Sequence, residues 1–283
     1  MGVAVIVEEP ERTQRARAAA ELALVRIVHQ YGGRPEFVLL GGLVPGLLCA
    51  GAALAHAGTT DVDVQVDLEI AGGAVHAVRL ERALRNADFE PDDERTWRWK
   101  APGGSPHAVI KFELLADRSD QPAGASVDFD GCEHLGAANL RGTGFAARDI
   151  EVRHLRAKDG GVLRTVEANV TGLAGFLLAK TAAAHGRRKP KDWYDVAYVL
   201  LHNDAGGVEA AARVVLAKFG AELAILETAL VDLAANFVDE GAQGPSAYAG
   251  QATLDDPSLD IATAAADAQL AVSRFCALLL AAL

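Results

Sequence analysis

The chain has 283 residues, 51% of them hydrophobic and 23% charged, with a formal net charge of −11. That is too apolar for a disordered chain, and the acidity argues against a non-specific nucleic-acid binder, which needs clustered Lys and Arg. Its three cysteines, Cys49, Cys132 and Cys276, are widely spaced and odd in number, which argues against a disulfide framework or a zinc site. The most apolar stretch, 261–283, is interrupted by Asp267, Gln269 and Arg274, so no membrane span is expected. The opening residues MGVAVIVEEPER carry acids where a signal peptide carries bases, so a cytoplasmic location is expected.

In chain order, 11–30 reads as a helix, with Ala18, Leu22, Val25 and Val28 on one face and Gly32-Gly33 as its stop. A short apolar strand follows at 37–40, then a small-residue helix over 43–57 with Pro45 in its first turn. Residues 61–68 alternate strictly, Val62, Val64, Val66 and Leu68 against Asp61, Asp63, Gln65 and Asp67, which predicts a strand with one polar face. A helix over 74–86 directs Val75, Val78 and Ala83 at a core. Strands at 96–100 and 108–115 are joined by a turn at Pro102-Gly103-Gly104. From 117 to 148 the chain is Gly-rich and irregular, with one strand at 126–130. Asp159-Gly160-Gly161 between 150–155 and 162–166 signals a hairpin. Beyond it only helical patterns remain, at 171–185, 193–202, 208–219 and 223–237, then a loop with Gly241, Gly244 and Pro245 before a last helix. The expected organisation is an α+β domain with a mixed sheet over 1–168 and an all-helical domain over 169–283.

Two constellations carry chemistry. Gly41-Gly42 ends a strand, and Asp61 and Asp63 follow at i and i+2. Strand geometry aims both carboxylates at one face, where hard oxygen ligands can share divalent cations; the alternative is a solvated edge strand. Paired glycines allow backbone N–H groups to approach a phosphate. The second is Lys180 followed by Arg187-Arg188-Lys189-Pro190-Lys191-Asp192-Trp193-Tyr194-Asp195. Lysine and arginine here suit a triphosphate. Asp192 stands where a helix N-cap belongs, so it is either functional or a cap, and Asp195, one turn on, can pair with Arg188 or Lys191. His56 is weighed as a nucleotide contact against a capping or surface role, and the latter is favoured. Trp97 and Trp99 read as packing residues, and Cys49 as core. Asp128 and Asp130 repeat the i, i+2 acidic spacing as a rival carboxylate site.

The Gly-Gly turn with Asp61-Val62-Asp63-Val64 resembles the signature of the nucleotidyltransferase superfamily. The second constellation, with Gly58-Thr59-Thr60-Asp61, Arg98-Trp99 and Gly244-Pro245, resembles the AbiEii/AbiGii-type toxin family, which includes the MenT-type enzymes. The resemblance implies a minimal nucleotidyltransferase domain. It also implies that Glu113 occupies the third acidic position, where that family usually has Asp. On this reading Asp61, Asp63 and Glu113 hold Mg²⁺, or Glu113 serves as base. Gly41, Gly42, Thr59, Arg187 and Arg188 contact an NTP, and Lys180 and Asp192 complete the catalytic set. The implied reaction moves an NMP to an acceptor hydroxyl. The implied acceptor is a tRNA 3′ end and the implied partner a cognate antitoxin. Two further readings stand beside it: a catalytically weak nucleotide- or partner-binding relative, and a nucleotidyltransferase for a cationic, aminoglycoside-like small molecule.

Overall fold

The computed structural model of the chain describes residues 12–66, 74–102 and 109–283. It is an α+β fold around one open mixed sheet, and after its last strand, which ends at Thr171, the chain is helical. Among the described residues the strands are β1 (Val38–Leu40), β2 (Asp61–Gln65), β3 (Glu90–Pro91), β4 (Arg98–Pro102), β5 (Val109–Ala116), β6 (Ser126–Asp128), β7 (Gly136–Asn139), β8 (Ile150–Asp159) and β9 (Val162–Thr171). They run in the order β3-β4-β5-β2-β1-β9-β8, with β6 and β7 attached at the end of β5. The pairs β1–β9 and β2–β5 are parallel, whereas β1–β2 and β4–β5 are antiparallel. The hairpin between β8 and β9 turns on Gly160 and Gly161, both at positive φ, as a two-residue loop requires.

Strand alternation separates the two faces of the sheet. Val62, Val64, Ile110, Phe112 and Leu114 point into the core beneath α1 (Gln14–Tyr31), and Asp61, Asp63, Lys111 and Glu113 point the other way. Phe112 is fully buried, edge-on to Phe37 and Phe89 at centroid distances of 6.0 and 6.5 Å. The buried face of α1 is Ala20, Ala23, Leu24, Val25, Ile27, Val28 and Tyr31, rotated from the expected stripe, and Ala18 is exposed. On α3 (Ala74–Asn86), Leu80, Ala83 and Leu84 are buried while Val78 is exposed; the side chain of Val75 lies outside the described residues, as do Asp67, Leu68 and the Gly103-Gly104 turn.

The helix expected over 43–57 is the largest difference. After a 3₁₀ turn at Gly41–Leu43, only α2 (Pro45–Leu48) forms. Tertiary partners satisfy the backbone beyond it. The Asp204 carboxylate accepts from the N–H groups of Ala50 and Gly51, each at 3.0 Å, and Tyr198 Oη donates to the Leu54 carbonyl at 2.6 Å. These long-range bonds replace the i→i−4 ladder. The stretch expected to be irregular holds β7 and a turn of helix, α4 (Gly144–Ala147).

The C-terminal helices are α5 (Leu173–Arg187), α6 (Pro190–His202), α7 (Val208–Phe219), α8 (Glu227–Ala235), α9 (Gln243–Asp255) and α10 (Ile261–Leu280). The single helix expected over 223–237 is split into a 3₁₀ segment at Gly220–Leu226 and α8. The expected Gly244-Pro245 loop is instead the first turn of α9, where a missing proline N–H costs no ladder bond. Gly244 is needed there because a Cβ would overlap the Phe237 ring. Helix α10 is long and apolar enough to cross a membrane, but it packs against α6, α7, α8 and α9. One continuous buried cluster runs from the sheet into these helices. Truncating its centre with Phe112→Ala should cost about 3–5 kcal/mol of stability, read as a shifted urea midpoint with an unchanged slope.

Candidate active site

Register sets the carboxylates side by side. Leu40 pairs with Asp63, Asp63 with Glu113, and Glu113 with Arg98, so one row crosses β1, β2, β5 and β4. Asp61 is likewise opposite Lys111. The Gly41-Gly42 turn closes over this row. Gly41 has φ of 78° and a Cβ on it would overlap the Asp63 carboxylate, while a Cβ on Gly42 would press on Thr59 at 2.9 Å. The glycines therefore admit Asp63 and Thr59 against the backbone. Thr59 Oγ1 in turn accepts from the Asp61 N–H at 3.1 Å.

The three acids are compensated unequally. Asp61 lies 3.4 Å from Lys191 Nζ and 3.6 Å from Lys111 Nζ. Burial alone would raise it, but these two lysines hold it below the usual carboxylate range. Glu113 accepts from Arg98 Nε at 2.6 Å. No cation or hydrogen-bond donor among the described residues contacts the Asp63 carboxylate. Burial, then Glu113 and Asp61, push Asp63 up to about 7.

The helical part supplies the cations. Lys180 on α5 is buried, its amine 2.7 Å from Asp195 and 3.1 Å from Asp192. Burial works against its charge, but the two aspartates raise its pKa above the ordinary value. Arg187 reaches Asp192 at 2.8 Å. Asp195 also receives Arg12 at 2.7 Å and His56 Nε2 at 3.0 Å. Burial would raise Asp195, yet Lys180 and Arg12 hold it well below the usual range. Burial pushes His56 down to about 4, so at neutral pH it is uncharged and donates from Nε2.

Sheet and helices line one cavity of about 960 Å³, with Gly41, Asp63, Glu113, Lys180 and Arg187 on its wall. Gly42, Thr59 and Asp61 are not on that wall, Gly42 lying against Thr59, and Asp192 stands behind Lys180 and Arg187. Arg188 is not brought in: at positive φ on the end of α5, it turns outward to Asp232 on α8. Asp192 is no N-cap, because α6 begins at Pro190 and places Asp192 inside its first turn. Asp195 pairs with neither Arg188 nor Lys191, and His56 is a core residue rather than a surface one. Asp128 and Asp130 line a different cavity, with Leu114. Of the residues the sequence reading missed, Lys111 was accessible, since it precedes Glu113 by two on the same strand face. Arg98 was named only within the Arg98-Trp99 resemblance and given no role opposite Glu113, and Arg12 against Asp195 had no local signal.

The donor set suits a hard cation such as Mg²⁺ in chemistry, with oxygen ligands on neighbouring strands and an Asp63 carboxyl that no lysine or arginine among the described residues pairs with. As arranged, no group of three His, Cys, Asp or Glu side chains among the described residues converges as a metal site, and Arg98 and the two lysines occupy the carboxylates. Comparison of the chain with protein-family models and with curated proteins finds no match.

The His56 shift has a signed consequence. From pH 6.5 down to about 4, the unfolded chain binds a proton that folded His56 refuses, so this residue's contribution to stability is lost as pH falls through that window. Wild type should lose up to about 3 kcal/mol more than His56→Gln between pH 7 and pH 4 in urea titrations. Parallel pH profiles for the two proteins would contradict the buried neutral histidine.

Proposed function

We propose that the protein is a nucleotidyltransferase-like enzyme that moves an NMP from an NTP to an acceptor hydroxyl. The observation that carries this reading is the single cavity bounded by the Asp63–Glu113 row on one side and by Lys180 and Arg187 on the other. Asp61 and Asp63 would hold Mg²⁺, which would supply charge neutralisation for the phosphates, and Glu113 is kept as the base. The chain's own groups do the rest. The buried cluster of Arg12, Lys180 and Arg187 against Asp192 and Asp195, with His56 neutral, leaves one positive charge in excess. Arg187, the cation of that cluster least covered by protein, faces the cavity and binds phosphate oxygens, and Lys180 stabilises charge growing on the leaving pyrophosphate. The acceptor oxygen attacks the α-phosphorus, the bond to pyrophosphate breaks, and Glu113 takes the hydroxyl proton once it leaves Arg98. The resemblance to the AbiEii/AbiGii-type toxins makes a tRNA 3′ end the acceptor of choice, a cognate antitoxin the partner, and the cytoplasm the place of action.

The Arg98–Glu113 pair favours one second reading, a relative that binds nucleotide with little turnover, because an engaged Glu113 serves as neither ligand nor base. Incubation with Mg²⁺, each labelled NTP and total RNA separates the two. Labelled RNA is expected from wild type, more from Glu113→Asp and none from Glu113→Gln, with a loss on the order of 10²–10⁴-fold. Asp61→Asn with Asp63→Asn should abolish Mg²⁺-dependent nucleotide binding in equilibrium dialysis. Binding without transfer in wild type would select the second reading, and unaltered binding by the double variant would remove the carboxylates from both.

A further inference from the structure

The face of the sheet away from the Asp63–Glu113 cleft contains a separate cavity of about 220 Å³. Leu114 lines it, whereas its neighbours Glu113 and Leu115 line the large cavity on the opposite face. Its floor is apolar: Phe37, Leu80, Leu114, Val127 and Leu135 are each at most 4% exposed. Its polar groups are of one predominant sign, Glu36, Asp128 and Asp130. The basic side chains on its wall already have partners. His76 Nδ1 lies 3.1 Å from Glu36, and Arg118 binds Asp120 through two contacts at 2.6 and 2.9 Å. Tyr31 Oη donates to Glu36 at 2.5 Å, which holds that carboxylate at the edge of the apolar floor.

We propose that this cavity is a binding site for a small amphipathic cation, one aromatic ring or a short branched alkyl group carrying an ammonium. Apolar cavities of about 150 Å³ accept benzene, so the volume admits one ring and its substituent but no nucleoside triphosphate. The carboxylates select the charge, because an ammonium at the mouth gains Asp128, Asp130 and a share of Glu36 beside Tyr31 and His76, while a carboxylate there meets three like charges. The site shares no catalytic residue with the proposed nucleotide cleft, so it stands whether or not that reading does.

Phenethylamine, 2-phenylethanol and 3-phenylpropionate have closely similar shapes and differ in charge, and serve as probes in calorimetric titrations of the full chain. Saturable one-to-one binding of phenethylamine is expected, at least tenfold tighter than the alcohol, with no binding of the anion. Glu36→Gln should weaken the amine about tenfold and leave the alcohol unchanged. Val127→Phe should fill the cavity and abolish both; if that variant does not fold, Leu80→Ala should enlarge it and admit tryptamine, which wild type rejects. Equal affinity for all three probes, absence of saturable amine binding, or amine binding indifferent to Glu36→Gln and to the cavity variants would overturn the proposal.

Discussion

Asp195 is the point on which the arrangement of this molecule turns. It is 1% exposed and receives Lys180 from α5, Arg12 from ahead of α1, and His56 from the segment leading into β2. A buried carboxylate in this position costs several kcal/mol of lost hydration, and only well-placed partners repay it. Here they come from separate parts of the chain, Arg12 being 183 positions from Asp195. The same segment is held by Tyr194, whose hydroxyl accepts from the Ala57 N–H at 3.0 Å, and by Gln14, which donates to the His56 carbonyl at 2.6 Å. Thr59 and Asp61 follow directly, so the helices position the carboxylate strand as well as facing it.

The sheet then does different work on its two faces. One face is core, with Phe112 against Phe37 and Phe89, and its stability is that of ordinary close packing. The other face gathers Asp61, Asp63 and Glu113, whose mutual repulsion opposes folding. Lys111, Lys191 and Arg98 offset part of it, and Asp63 is left with the remainder. A crowded carboxyl that binds its proton up to about pH 7, beside a cluster with one positive charge in excess, is poised for a ligand carrying both signs, such as a cation–phosphate complex. That is the physical content of the nucleotidyltransferase reading.

Local signals were readable where local rules govern. Strict alternation of Asp61 to Gln65 sets one face polar whatever else the chain does, and Gly160-Gly161 turns the hairpin because only glycine accepts positive φ there without strain. The readings that did not survive lie where distant groups outbid local propensity. The small-residue stretch after Leu48 has helical composition, yet Asp204, Tyr198, Gln14 and Tyr194 take its backbone groups. Gly244-Pro245 looks like a loop, yet a glycine fits beside Phe237 and a proline fits a first turn.

By itself, the amino-acid sequence determined the alternating strand with its paired aspartates, the glycine turn before it, and the basic run that joins α5 to α6, because periodicity and backbone sterics act over a few residues. Only the tertiary structure decided which charge answers which. It set Lys191 on Asp61 across 130 positions, Arg98 on Glu113, and Lys180 between Asp192 and Asp195, and it sent Arg188 away to Asp232. Charge pairing follows distance in space, and that distance is set by strand register and helix packing rather than by separation along the chain.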